Sequence, residues 1–160
     1  MTLAAFNALP DDEAQRELLS CCASPAWADE VRKGRPYRSV DDLLDRADLA
    51  VAGLSGAELD AALAGHPRIG ERHDDRSARE QSGVDGADER VLRALAEGNR
   101  DYEQRFGHVY LVCATGRSAD EMLALLTARL ANDPATERSV VRTELAKINR
   151  IRLTKLLEGT

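Results

Sequence analysis

The sequence predicts an all-α protein, a compact single-domain bundle of about eight helices, several of them short, with one extended buried segment. Three observations carry that expectation. Aromatic residues make up 4% of a chain that is 43% hydrophobic, so the core must be aliphatic, mostly Ala, Leu and Val, a composition that favours helices over a β-sandwich. Apolar residues recur at three- and four-residue spacing, as in Leu43, Ala47 and Ala50, in Val91, Leu95 and Tyr102, and in Met122, Leu125, Leu126 and Leu130. The only strand-like run is Val109-Tyr-Leu-Val-Cys-Ala114, and one short run cannot make a sheet by itself. A length of 160 residues fits one domain covering residues 1–160.

Start and stop signals divide the chain in order. A first helix is expected near 11–22. Ser24 before Pro25 gives the second an N-cap with proline at its first position, and Gly34 closes it, so it spans 25–33. Ser39-Val-Asp-Asp42 and Ser55-Gly-Ala-Glu58 look like capping boxes and open helices over 40–51 and 56–64. A short helix near 76–82 is opened by Asp74 or Asp75, and a long one spans 87–106. Gly107 and Gly116 punctuate the extended segment 109–114. Ser118-Ala-Asp-Glu121 starts a helix over 119–131, and Asp133-Pro134 opens the last, 134–157.

Charge and cysteine usage exclude several classes. The net charge is -6 and the pI about 5.1, which argues against general affinity for nucleic acid or anionic membranes, since both select a basic surface. No run approaches the roughly 18 apolar residues of a membrane span. The start, MTLAAFNALPDDEAQ, has no basic segment of a secretory leader, and the end, LTKLLEGT, carries no peroxisomal or retention tripeptide. Cys21, Cys22 and Cys113 form no disulfide framework. They point to a reducing compartment, the cytoplasm, and fit best as small buried hydrophobes. Without any Cys-x-x-Cys there is no zinc ribbon.

The last helix holds a residue out of place. At about 100° per residue, Val141, Leu145, Ile148 and Leu156 share one face, and Arg152 sits in the middle of it, whereas Arg150 points the other way. A guanidinium cannot shed its proton to escape burial. Arg152 must therefore snorkel out along its stem or meet an anion, either a structural carboxylate or a ligand. Arg138, Arg142, Lys147, Arg150 and Lys155 read as a solvated basic face. A nucleic-acid stripe is the weaker alternative, because one helix without interleaved aromatics in an acidic protein is a poor footprint.

Residues 65–83, GHPRIGERHDDRSAREQSG, are densely polar between apolar segments. Pro67 stops the helix ending near Ala64 and biases His66 toward extended backbone, while Gly70 permits a sharp turn. His66 is then either a surface or capping histidine or a positioned acid or base, its pKa lying near neutrality. A metal site is the third option, but Pro67 and Gly70 break any helix that would align His66 with His73, and His108 has no nearby ligand. Ser77 and Glu80 lie three apart on one face of the next helix, with Gln81 beside them. They form either a solvated face or the polar edge of a pocket for a small, heavily hydrogen-bonding ligand.

Taken together these pieces resemble the 2-oxo-4-hydroxy-4-carboxy-5-ureidoimidazoline (OHCU) decarboxylase family of urate degradation, whose product is (S)-allantoin. The resemblance runs nearly end to end, through Asn7-Ala-Leu9, Ser24-Pro-Ala-Trp27, Arg35-Pro-Tyr37, His66-Pro-x-Ile-Gly70, Ser77-x-x-Glu80-Gln81, Asn99-x-x-Tyr102-x-x-Arg-Phe-Gly107, Arg129-Leu-x-Asn132 and Lys147-Ile-x-x-Ile-Arg152-Leu153. It implies an all-helical homodimer that needs no cofactor or metal and acts on a small molecule, with no nucleic-acid or membrane partner. It implies that His66 and Glu80 are catalytic and that Arg152, Pro67, Ser77 and Gln81 bind substrate, together with backbone groups of Val109, Tyr110, Leu111 and Val112. Two departures stand out. Many relatives have Asp-Leu or a similar pair after His-Pro where this chain has Arg68-Ile69, and Phe106-Gly107-His-Val-Tyr110 replaces a Phe-Gly-x-Pro-Phe. A decarboxylase of a related ureido-imidazoline, or a non-catalytic helical binding module, are the alternatives.

Overall fold

A computed structural model describes residues 1–70, 80 and 88–158 of the chain. Among the described residues there are eight helices and no strand: α1 (Leu3–Ala8), α2 (Asp11–Cys21), α3 (Pro25–Lys33), α4 (Val40–Ala52), α5 (Gly56–Ala64), α6 (Glu89–Phe106), α7 (Ala119–Leu130) and α8 (Pro134–Leu156). The all-α class is therefore as expected, and the boundaries of most helices fall within a residue or two of the start and stop signals. The helix expected over 76–82 lies outside the described residues except for Glu80, which has helical backbone. Conversely, α1 was not anticipated. It has only six residues and one buried side chain, Phe6, so it shows no periodicity, and its start rests on Thr2, whose hydroxyl accepts from the Ala5 N–H.

Of the three capping boxes expected, those at Ser55 and Ser118 close in both directions, whereas at Ser39 the serine hydroxyl caps the helix and, among the described residues, no reciprocal bond from Asp42 completes a box. Ser55 and Ser118 form reciprocal capping boxes with Glu58 and Glu121. Ser24 and Ser39 accept from the N–H groups of Trp27 and Asp42, and Asp133 Oδ1 accepts from Thr136 N–H at 2.8 Å. Each satisfies an amide the first turn would otherwise leave without a partner.

The helices gather into two units, residues 1–65 with 145–160, and residues 66–144. In the first, α3 packs against both α2 and α4. The indole N–H of the fully buried Trp27 donates to the Ala47 carbonyl at 3.2 Å. Arg35 Nη1 donates to the Phe6 and Leu9 carbonyls, both at 2.8 Å, taking up the open end of α1. Asn7 and Tyr37 exchange two hydrogen bonds, one in each direction. The Asn7, Arg35 and Tyr37 of the family resemblance thus hold α1 in place. Arg150, expected on a solvated face, instead bridges Asp48 and Asp45 of α4, at 2.8 Å to each.

In the second unit α6 packs against α7. The two approach so closely that a Cβ on Gly98 would lie 2.5 Å from Leu126 Cδ2. Leu95, Tyr102, Met122, Leu126, Tyr110, Val112 and Ile69 form the core between them. The segment 109–114 forms no helix or strand and, from Tyr110 to Ala114, is buried.

Candidate functional site

Three elements carry the residues that sequence reasoning selected. The first is the loop after α5. Gly65 ends the helix, and His66 and Pro67 follow, both half-buried. The next two residues are gripped by α6. Arg68 makes a two-pronged ion pair with Glu103, Nε to Oε2 and Nη2 to Oε1 at 2.9 Å each. The Ile69 carbonyl accepts from Asn99 Nδ2 at 3.0 Å, and the Ile69 side chain is buried in the α6–α7 core. Gly70 then turns the chain away at φ 97°, in the region that glycine alone enters without strain. Beside this loop lies a cavity of about 390 Å³ walled by Arg68, Ile69, Asn99 and Glu103 among others. The Arg68-Ile69 departure from the family pattern is thus accommodated by an acid on α6 and by the apolar core.

The second element is the segment 109–114. With no neighbouring strand, its backbone is held by side chains. Arg129 Nη1 donates to the Leu111 carbonyl at 2.5 Å, and Glu144 Oε1 accepts from the Cys113 N–H at 3.1 Å. The Tyr110 hydroxyl donates to the Met122 carbonyl at 3.0 Å. Behind it sits a buried ionic cluster that the sequence reading missed. The Glu137 carboxylate accepts from Arg129 Nε at 2.9 Å and Nη2 at 2.5 Å, from Asn132 Nδ2 at 3.1 Å and from the Tyr102 hydroxyl. Burial pushes the Glu137 carboxyl up, but the hydrogen bonds from Arg129 and Tyr102 outweigh it and leave the group below its ordinary range. Burial and the Glu137 contact raise Tyr102, so its phenol stays protonated. Burial pushes Tyr110 up to about 12, under an Arg129 guanidinium 4.8 Å from the ring centre.

The third element is the C-terminal half of α8. Arg152 is half-buried, and its Nη1 donates to the Cys21 carbonyl at 2.8 Å. Cys21 ends α2, where the helix dipole presents negative charge, so one of the guanidinium's donors is spent there. The adjacent Cys22 thiol is pushed up to about 11 by its burial.

Of the expected site residues, His66, Pro67, Glu80, Val109, Tyr110, Leu111 and Val112 fall in the second unit and Arg152 in the first. Glu80 is half-buried. Ser77 and Gln81 lie outside the described residues. Among the described residues no three His, Cys, Asp or Glu side chains group as metal ligands, and no helix is long and apolar enough to cross a membrane.

Among the described residues the chain is all-helical and presents His66 from the loop that ends α5, with that loop held from α6. The chain is a member of the OHCU decarboxylase family, whose model matches residues 7–154. It is 29% identical over 160 residues to a 2-oxo-4-hydroxy-4-carboxy-5-ureidoimidazoline decarboxylase of Haloferax volcanii, covering 96% of this chain and 94% of that one. It is 30% identical over 145 residues to the uric acid degradation bifunctional protein TTL of Arabidopsis thaliana, covering 85% of this chain but 45% of that longer one. The crystal structure of an OHCU decarboxylase in the presence of (S)-allantoin superposes with a TM-score of 0.81 at 26% identity, over 89% of this chain and 98% of that one.

Proposed function

We propose that residues 1–160 act as one OHCU decarboxylase-like domain that converts OHCU to (S)-allantoin in urate degradation, without a cofactor, in the cytoplasm and as a homodimer. The observation that carries this reading is the family match over residues 7–154, a span that contains His66, Glu80 and Arg152.

The chemistry asks for few groups. The substrate has a carboxylate and a hydroxyl on one ring carbon, and the next ring carbon is doubly bonded to nitrogen. As the bond to CO₂ breaks, its electron pair forms a double bond between the two ring carbons. The C=N pair then moves to nitrogen, which takes a proton. Protonation of the second ring carbon and loss of the hydroxyl proton give the ketone. The substrate therefore supplies its own electron sink, and the protein must orient the ring and deliver a proton to one face.

Arg152 holds a ring or ureido carbonyl, or the charge developing beside it, by charge-assisted hydrogen bonds. Glu80 accepts from ring and ureido N–H groups. His66 moves protons at the hydroxyl or at the carbon being protonated, a role worth roughly 10²–10⁴ in rate. Pro67, Ser77, Gln81 and the backbone of Val109–Val112 complete the contacts.

OHCU generated in situ from urate, with circular dichroism followed as allantoin appears, tests the activity. The expected result is fast formation of one enantiomer, and no acceleration over spontaneous racemic decay refutes the reading. His66→Asn should lose most of the rate while staying folded, and near-normal turnover removes His66 from the mechanism. For Arg152→Ala, lost turnover at a preserved melting temperature supports substrate binding. A large fall in melting temperature points instead to a structural role at the end of α2. Light scattering coupled to size exclusion tests the dimer.

A further inference from the structure

We propose that α6 positions the histidine of the reaction, Asn99 and Glu103 acting as positioning residues that fix the backbone on which His66 is presented. The inference rests on the proposed catalytic role of His66.

Asn99 and Glu103 are four apart on α6 and so share a face. They grip consecutive residues of the loop, Glu103 the guanidinium of Arg68 and Asn99 the carbonyl of Ile69. Burial of the Ile69 side chain between α6 and α7 adds a third point of attachment. Between this anchor and His66 stands only Pro67, whose ring fixes its own φ and whose Cδ restricts the backbone of His66. Few free torsions therefore separate the clamp from the imidazole.

The buried carboxamide bears the mark of a group kept for what it holds. Asn99 is 5% exposed and lies among Leu95 and Tyr102. Its Nδ2 bonds to the loop, while its Oδ1 is buried with no hydrogen-bond partner among the described residues. An unsatisfied buried acceptor costs stability, so what this polar side chain supplies among apolar neighbours is the bond to the Ile69 carbonyl. Among the described residues the one bond the side chain makes is the one that fixes Ile69. The Arg68–Glu103 pair is half exposed on the arginine side and contributes little stability, but its two parallel bonds set direction.

The test compares Asn99→Leu and Glu103→Gln with wild type and His66→Asn, on OHCU made in situ. Readouts are kcat and KM normalised to the folded fraction, the pH profile of kcat, and the enantiomeric excess of allantoin. A displacement of about 1 Å in a reacting group costs on the order of 10²-fold in rate. Asn99→Leu should therefore lower kcat by roughly 10- to 100-fold, leave KM near the wild-type value, shift the pH profile and erode the enantiomeric excess. Glu103→Gln, at the solvent end of the clamp, should move the same readouts in the same direction by less, and it decides the matter should Asn99→Leu fail to fold. If His66→Asn is inactive but folded Asn99→Leu and Glu103→Gln keep wild-type kcat, pH profile and enantiomeric excess, the positioning role is overturned and the catalytic reading stands. If His66→Asn retains turnover, the catalytic reading fails and the positioning role falls with it.

Discussion

Glu137→Gln keeps the shape of a fully buried side chain and removes its charge. In the wild type that carboxylate accepts from both Nε and Nη2 of Arg129, from Asn132 and from Tyr102. Without it the buried Arg129 guanidinium loses the carboxylate it is paired with. Breaking a buried pair from one side costs about 3–5 kcal/mol. In a chain of this length each kcal/mol moves Tm by about 2–4 °C, so the variant should melt roughly 6–20 °C lower. The glutamine amide oxygen still accepts one bond, and Arg129 Nη1 keeps the Leu111 carbonyl, which favours the lower half of that range. Calorimetry at pH 7 measures it.

The pH dependence supplies a second check. The folded Glu137 carboxyl titrates below its ordinary 4.5, so its contribution is complete above that pH and is lost as pH falls through the folded pKa. The gap in Tm between wild type and Glu137→Gln should thus be constant from pH 7 to about 5 and close in more acidic solution. A gap under about 2 °C at pH 7, equivalent to less than about 1 kcal/mol, or one that persists unchanged in acid, refutes the account of Glu137 as the charge that holds Arg129.

Other expectations follow from the same packing. Ser55→Ala and Ser118→Ala each remove the acceptor of a capping box and should each cost about 1 kcal/mol in denaturant unfolding. The two losses should add in the double variant because the sites share no partner. Cys21, Cys22 and Cys113 are buried, and burial pushes the Cys22 thiol up to about 11. Ellman's reagent at pH 8 should label them slowly in the folded protein and fully once it is denatured, and fast labelling of the native chain contradicts this burial. Gly98→Ala places a methyl 2.5 Å from Leu126 Cδ2, in a core where overpacking costs about 1–3 kcal/mol. That outweighs the gain of about 1 kcal/mol from replacing a helical glycine, so Tm should fall, whereas an unchanged or higher Tm means that α6 and α7 have room to part.

Periodicity and capping chemistry made most of the helices legible because both are local. Leu43, Ala47 and Ala50 are buried as their spacing demands, as are Val141, Leu145 and Ile148. The site was half legible for the same reason. Pro67 and Gly70 mark where the chain breaks, and Arg152 stood out as a charge on an apolar stripe. The rule that found Arg152 applies equally to Arg129, which lies on the face of Met122 and Leu126, and to Glu137 and Glu144, which lie on the face of Val141 and Ile148. All three are buried. A charge within an apolar stripe signals that a partner is needed but does not say which. Arg129 and Glu137 are eight residues apart across a helix end, and Glu144 meets a backbone N–H 31 residues earlier. Such pairings depend on how α7, α8 and the segment 109–114 meet, which no local window contains. Asn99 shows the same limit from the polar side. Its spacing of four from Leu95 and three from Tyr102 puts it on their face, yet only the packed loop reveals that its partner is the carbonyl of Ile69, three residues beyond the histidine.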